Sequence, residues 1–158
     1  MILESVEIRP YCSNDMSDFK EMFCIYFRND LRIEITDHEV ESVCLEIAEH
    51  AISGSISFDI LVVDERLVGF IIYQVDHPNS DWCEREGWGF IREIYIQHSM
   101  RAKGFGTKFV AHAETILYAK GAEHIYLTSD EAGEFWSLRG YINSGIDSAI
   151  NHIPIYEK

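Results

Sequence analysis

No stretch of this chain approaches the roughly 20 apolar residues that cross a bilayer. Its opening, Met1-Ile2-Leu3-Glu4, lacks the basic start and apolar body of a secretory leader. A soluble, cytoplasmic protein without membrane partners is therefore expected. Cys-x-x-Cys pairs are missing as well: Cys12, Cys24, Cys44 and Cys83 are widely spaced and sit mostly among apolar neighbours, the habit of reduced core thiols. Positive charge is scarce, since 13 Lys and Arg face 27 Asp and Glu for a formal net charge of −14. Without a basic patch the phosphates of a nucleic acid would be repelled, so no nucleic-acid partner is expected. A cationic partner or substrate is compatible with this charge, which also serves solubility. The seven histidines form no His-Glu-x-x-His and no Cys/His pairing, so no metal site is expected. No Gly-x-Ser-x-Gly elbow anchors a hydrolase triad. No repeat, linker or low-complexity segment interrupts the 158 residues, which suit one domain, 1–158.

What is present is a regular alternation of strand and helix patterns. Leu3 to Arg9 alternates loosely and ends at Pro10, as a first strand does. Met16, Phe19, Phe23, Tyr26 and Phe27 recur at helical spacing, forming a core stripe whose aromatic end could also line a pocket. Thr36-Asp37-His38-Glu39 is a capping box, and the apolar face from Val40 to Ala51 runs on until Gly54. Phe58–Val63 and Leu67–Val75 are apolar on both faces and read as a hairpin of central strands turning at Asp64-Glu65-Arg66. The loop from Asp76 to Gly87 carries Asp76, Asp81, Glu84 and Glu86 against Arg85, and is either a solvated loop or an acidic rim for a cation. Phe90 to Gln97 is a strand with Arg92 and Glu93 in its apolar middle. They form either a surface salt bridge or, for Glu93, an acid or base beside a cleft. A helix with Phe105, Phe109, Ala113, Ile116 and Leu117 on one stripe ends at Gly121. A strand Ile125–Thr128, a short helix Glu131–Arg139 and two last strands turning near Gly145 follow. The order β-α-α-β-β-β-α-β-α-β-β describes an α/β protein with a mixed sheet flanked by helices.

Between the fourth strand and third helix lies Arg101-Ala102-Lys103-Gly104-Phe105-Gly106. Two glycines let a backbone approach a ligand closely, and the first turn of the helix offers free N–H groups and a positive dipole end. An anion fits there, although the same letters also occur in plain surface turns. A dinucleotide fingerprint would need glycine where Phe109 stands, and a Walker loop would not read Gly106-Thr107-Lys108.

This loop resembles the coenzyme A loop of the GNAT acyltransferase superfamily, in which Arg or Gln and two residues precede Gly-x-Gly or Gly-x-Ala. Arg101, Gly104 and Gly106 fill that pattern. Ala132-Gly133-Glu134-Phe135-Trp136-Ser137-Leu138-Arg139-Gly140-Tyr141 resembles the family's second signature, Ala-x-x-Phe-Tyr-x-x-x-Gly-Phe, and the element order is that of the family over nearly the whole chain. The resemblance implies a mostly antiparallel sheet, acetyl-CoA as acyl donor and N-acetyl transfer to a small-molecule amine acceptor by direct attack. Members of that family often pair through sheet edges or last strands, so the resemblance leaves both a monomer and a homodimer open. Residue by residue, it implies that Arg101, Ala102, Lys103, Gly104, Phe105, Gly106 and Thr107 hold the pyrophosphate through main-chain N–H groups. The backbones of Ile94 and Ile96 would pair with the pantetheine arm, the Ile94 N–H would face the thioester oxygen, and Tyr95, Ser129 and Phe135 complete the cofactor-binding set. Trp136 stands where the family carries a tyrosine that protonates the thiolate, and Ser129 where an asparagine often touches the cofactor. The motif therefore supplies no general acid, and a non-catalytic acyl-CoA binding module is the alternative. Glu93 is the carboxylate best placed by sequence to take the proton of the attacking amine.

Overall fold

The computed structural model describes residues 4–130 and 134–158. It contains a seven-stranded sheet in the order β1-β2-β3-β4-β5-β7-β6. The strands are β1 (Val6–Pro10), β2 (Ser57–Val63), β3 (Arg66–Val75), β4 (Gly89–Ile96), β5 (Ile125–Thr128), β6 (Ile142–Asp147) and β7 (Pro154–Glu157). The helices are α1 (Met16–Ile25), α2 (Asp37–Ser53), α3 (Phe105–Ala119) and α4 (Glu134–Leu138). The β1/β2, β5/β7 and β6/β7 pairs are antiparallel and β4/β5 is parallel, giving the mixed sheet that the element order implied, mostly antiparallel as the resemblance implied. Leu3 and Glu131, expected at the start of a strand and a helix, lie outside the described residues, as do Ala132 and Gly133. The chain divides into two compact units, Met1–Ile72 with Glu93–Gly106, and Tyr73–Arg92 with Thr107–Lys158.

In the first unit the apolar faces of α1 and α2 meet the sheet. Phe19, Met22 and Phe23 of α1 and Val40 and Cys44 of α2 pack with Phe58 and Ile60 of β2, Phe70 and Ile72 of β3, and Tyr95 of β4. Each such side chain contributes roughly 1.5–3 kcal/mol by leaving water. α2 starts where its letters say: the Thr36 hydroxyl accepts the Glu39 N–H, and the Glu39 carboxylate accepts the Thr36 N–H, both at 3.1 Å. Burial pushes the Cys44 thiol up to about 12, so it stays protonated and inert. Cys12 departs from the expected core thiol: it is exposed, because it stands in the turn that joins β1 to α1. The β2–β3 turn carries Asp64 and Glu65 at φ 49° and 65°, the two positive angles that make a tight hairpin match strand twist.

In the second unit, Phe109, Val110, Ala113 and Leu117 of α3 are buried. Leu117 comes so near β4 that a Cβ on Gly89 would sit 2.9 Å from its Cδ1, so only glycine allows this approach. Phe90 and Tyr126 stack with centroids 4.5 Å apart. The acid-rich loop between β3 and β4 lies at the surface with Asp81 and Glu86 exposed, and three of its acids, Asp76, Asp81 and Glu84, are hydrogen-bonded within the unit. Asp76 is buried and accepts from the Tyr126 hydroxyl, from Gln74 Nε2 at 2.8 Å, and from the N–H groups of Glu84 and Arg85 at 3.1 Å each. Asp81 pairs with Arg92 through two bonds of 2.9 and 3.0 Å. Glu84 accepts from Ser148 Oγ at 2.8 Å and the Ala149 N–H at 2.7 Å. Asp76 thereby satisfies backbone donors that a long loop would otherwise leave unpaired. Gly145 also departs from expectation. It lies inside β6 at φ 77°, where the register against β7 shifts, and the turn is made by residues 148–153.

Candidate functional site

Successive residues of a strand point to opposite faces, and on β4 this separates the two charges that the sequence placed side by side. Arg92 turns to Asp81 and Gln74, whereas the Glu93 carboxylate accepts the Tyr26 hydroxyl. The surface salt bridge weighed for Arg92 and Glu93 is thus replaced by two separate partnerships. Glu93 and Ile94 are half-buried, and Tyr95 and Ile96 are buried. Pairing with β5 covers Gly89 and Phe90, and β4 runs on past it to Ile96.

The partners of Glu93 and of the glycine loop come from one short element. At its C-terminal end α1 widens into a π turn, Tyr26–Asp30. Its first residue, Tyr26, packs its ring against Tyr95 and Phe70, with centroids 5.7 and 5.8 Å away, and donates its hydroxyl to Glu93. Its last, Asp30, accepts from Arg101 Nη2 at 2.6 Å. Arg101 also donates Nε to the Ile96 carbonyl at 2.8 Å and lies 5.5 Å from the Tyr95 ring. Burial, with Asp30 adding to it, raises the Tyr95 hydroxyl above its ordinary pKa and keeps it neutral. The Arg101 head group is therefore fastened to the protein at the root of the loop.

The backbone of the loop is unusual. After a single turn at His98–Met100, Ala102 and Gly104 adopt φ 61° and 85°, and α3 begins at Phe105. Alternating the sign of φ turns successive N–H groups toward one side, the arrangement that binds anions. A Cβ on Gly104 would meet nothing within 4 Å, so glycine is needed there for its angle and not for space. An exposed loop with left-handed turns and a helix N-terminus fit a phosphorylated cofactor.

Thr107, Ser129 and Phe135 belong to the second unit. Thr107 accepts a hydrogen bond from Arg139, whose guanidinium lies 3.9 Å from the Phe135 ring centroid. The Ser129 N–H bonds to the Pro154 carbonyl at 3.0 Å. Trp136 packs edge-on against Phe135 and Tyr141 and has no acidic proton to give. The nearby Tyr141 hydroxyl does not replace one: it donates to Glu114 at 2.9 Å, and burial with that carboxylate holds its pKa well above the ordinary value. Glu93, Ile94, Tyr95, Ile96 and the loop to Gly106 thus stand together in the first unit. The sequence missed Tyr26 and Asp30 as partners of that group.

The family model for the acetyltransferase (GNAT) family matches residues 18–141. The chain belongs to the GNAT family. It is accordingly an acetyl-CoA-dependent acetyltransferase. Its fold is similar to that of a PaiA N-acetyltransferase from Thermoplasma acidophilum in complex with coenzyme A, at TM-score 0.73 and 19% identity over 98% of both chains. It is also similar to a GNAT acetyltransferase from Staphylococcus aureus Mu50, at TM-score 0.74 and 16% identity over 98% of both chains. A GNAT acetyltransferase from Brucella melitensis in complex with acetyl-CoA gives TM-score 0.63 and 16% identity over 87% of this chain and 83% of that one. By sequence, no curated protein matches this GNAT chain.

Proposed function

We propose that this acetyltransferase moves the acetyl group of acetyl-CoA to the primary amine of a small, cationic acceptor by direct attack within a ternary complex. The observation that carries this reading is the position of Glu93, a half-buried carboxylate immediately before Ile94 on β4, with one oxygen held by Tyr26. Acetyl-CoA supplies an activated thioester. The backbones of Ala102 to Gly106 would hold its pyrophosphate, and the β4 backbone at Ile94 and Ile96, beside Tyr95, would align its pantetheine arm. The Ile94 N–H donates to the thioester oxygen as negative charge grows there, which favours the tetrahedral transition state. Glu93 takes the proton from the attacking nitrogen. A nitrogen–carbon bond forms, the carbon–sulfur bond breaks, and the thiolate leaves to be protonated by water, since Trp136 carries no acid. The formal charge of −14 supports a cationic acceptor.

Acetyl-CoA is offered with a panel of polyamines, aminoglycosides, amino-acid amines and peptide N-termini. Release of CoA and a mass gain of one acetyl group on a cationic amine is the expected result. Tight binding of acetyl-CoA with no CoA released on any amine overturns the proposal.

A further inference from the structure

The π turn at the end of α1 holds two side chains that the mechanism above does not use, and each is bonded to a residue of the candidate site. Tyr26, the first residue of the turn, donates to Glu93, and Asp30, the last, accepts from Arg101. All four residues lie in the same compact unit. We infer that this turn positions both halves of the chemistry: Tyr26 orients the Glu93 carboxylate toward the amine, and Asp30 fixes Arg101 and with it the phosphate loop. The inference rests on the proposed roles of Glu93 and of the loop.

The geometry of the turn matters to this role. An α-helix brings residues four apart onto one face. From this turn Tyr26 reaches Glu93 in the middle of β4, and Asp30, four residues on, reaches Arg101 beyond its end. Insertions of this kind recur at functional sites. Tyr26 is held on its ring side by Phe23, Phe27, Phe70 and Tyr95, and its hydroxyl donates to Glu93. A carboxylate held by such a bond keeps a fixed orientation, and proton transfer depends steeply on orientation. Asp30 acts on a different quantity. Arg101 is already tied to Ile96 and to the Tyr95 face, and the Asp30 bond completes its hold. Its loss loosens the stem from which Ala102 and Gly104 take their left-handed angles.

Two positioning residues on one turn should therefore carry opposite kinetic signatures. Tyr26→Phe keeps the ring and removes the hydroxyl. It should lower kcat about tenfold while leaving the KM for acetyl-CoA within about twofold. Asp30→Asn should raise the KM for acetyl-CoA by roughly five- to tenfold, with the smaller effect on kcat, and Asp30→Glu should restore much of the loss. In the Glu93→Gln background, adding Tyr26→Phe should slow the enzyme no further, because its effect runs through that carboxylate. Circular dichroism melts confirm that each variant is folded. If both variants change kcat and KM in the same proportion, or if neither changes either, the turn is only scaffold and the inference is wrong. A slow Glu93→Gln enzyme beside a wild-type Tyr26→Phe enzyme overturns the role of the turn and leaves Glu93 as base. Wild-type turnover by Glu93→Gln overturns both.

Discussion

Glu93 was legible as a residue before any coordinates, because a charge in the apolar middle of a strand requires a reason. Tyr26 was not. Its spacing from Phe19 and Phe23 is that of a core stripe, its ring does lie in the core, and only its hydroxyl reaches a residue 67 positions away. Periodicity reports which face of a helix is apolar and is silent on which polar tip finds a distant partner. Replacing Glu93 by Gln should reduce turnover by roughly 10²- to 10³-fold while acetyl-CoA binding, measured by calorimetry, stays near wild type. Unchanged turnover would remove Glu93 from the mechanism. Stability provides a second test at this scale, at Asp15. Burial raises the pKa of its carboxyl, but the Arg9 guanidinium, bonded to it at 2.9 Å through both oxygens, and the Cys12 N–H outweigh burial and leave it below the usual value. A depressed folded pKa stabilises above the unfolded value near 4, and that stability is lost as pH falls through the folded one. Asp15→Asn should therefore cost about 1 kcal/mol at neutral pH. In denaturant titrations its deficit against wild type should shrink as pH drops below about 4.

At the scale of elements, start and stop signals were read best where a side chain answers a backbone group within a few residues. The capping box at Thr36 and the left-handed Gly54 that closes α2 stand where the letters put them. Gly145 shows the limit: a glycine with positive φ serves a turn and a bulge equally well, and register against β7 decides between them. The loop before α3 is tested through its cofactor. Acetyl-CoA at about 100 times its Kd should stabilise the protein by roughly 2.7 kcal/mol. Gly104→Glu forces a side chain into a left-handed position and adds negative charge where phosphate is expected, so it should abolish that shift in melting temperature. Thr36→Ala is the control, lowering stability by about 1 kcal/mol through a lost cap while the acetyl-CoA shift persists. A full shift in folded Gly104→Glu would move the phosphate site away from this loop.

At the scale of the whole molecule, the formal charge of −14 was plain in the sequence, but what the individual acids do was not. Asp76, Asp81 and Glu84 look like a rim when counted along a polar loop. In the structure their oxygens are taken by Tyr126, Arg92, Ser148 and main-chain N–H groups. Neutral donors leave Asp76 and Glu84 their charge, so attraction of a cationic amine is expected from the field of all 27 acids, this loop among them. Screening shortens from about 30 Å at 0.01 M salt to about 8 Å at 0.15 M, so kcat/KM for a cationic acceptor should fall over this range, whereas a neutral acceptor should show no slope. Exposed Glu86 is one acid among 27, and Glu86→Gln should leave the slope nearly unaltered. Asp76→Asn should act on a different quantity altogether: its amide oxygen can still accept from the Tyr126 hydroxyl and two backbone N–H groups, but its NH2 is then set against Gln74 Nε2, which costs roughly 2–3 kcal/mol of stability with no change in slope. If Glu86→Gln alone flattens the salt dependence, steering is local after all. If salt leaves the rate untouched for every amine that turns over, the acceptor is not drawn in by charge, and the acidity of the chain serves solubility alone.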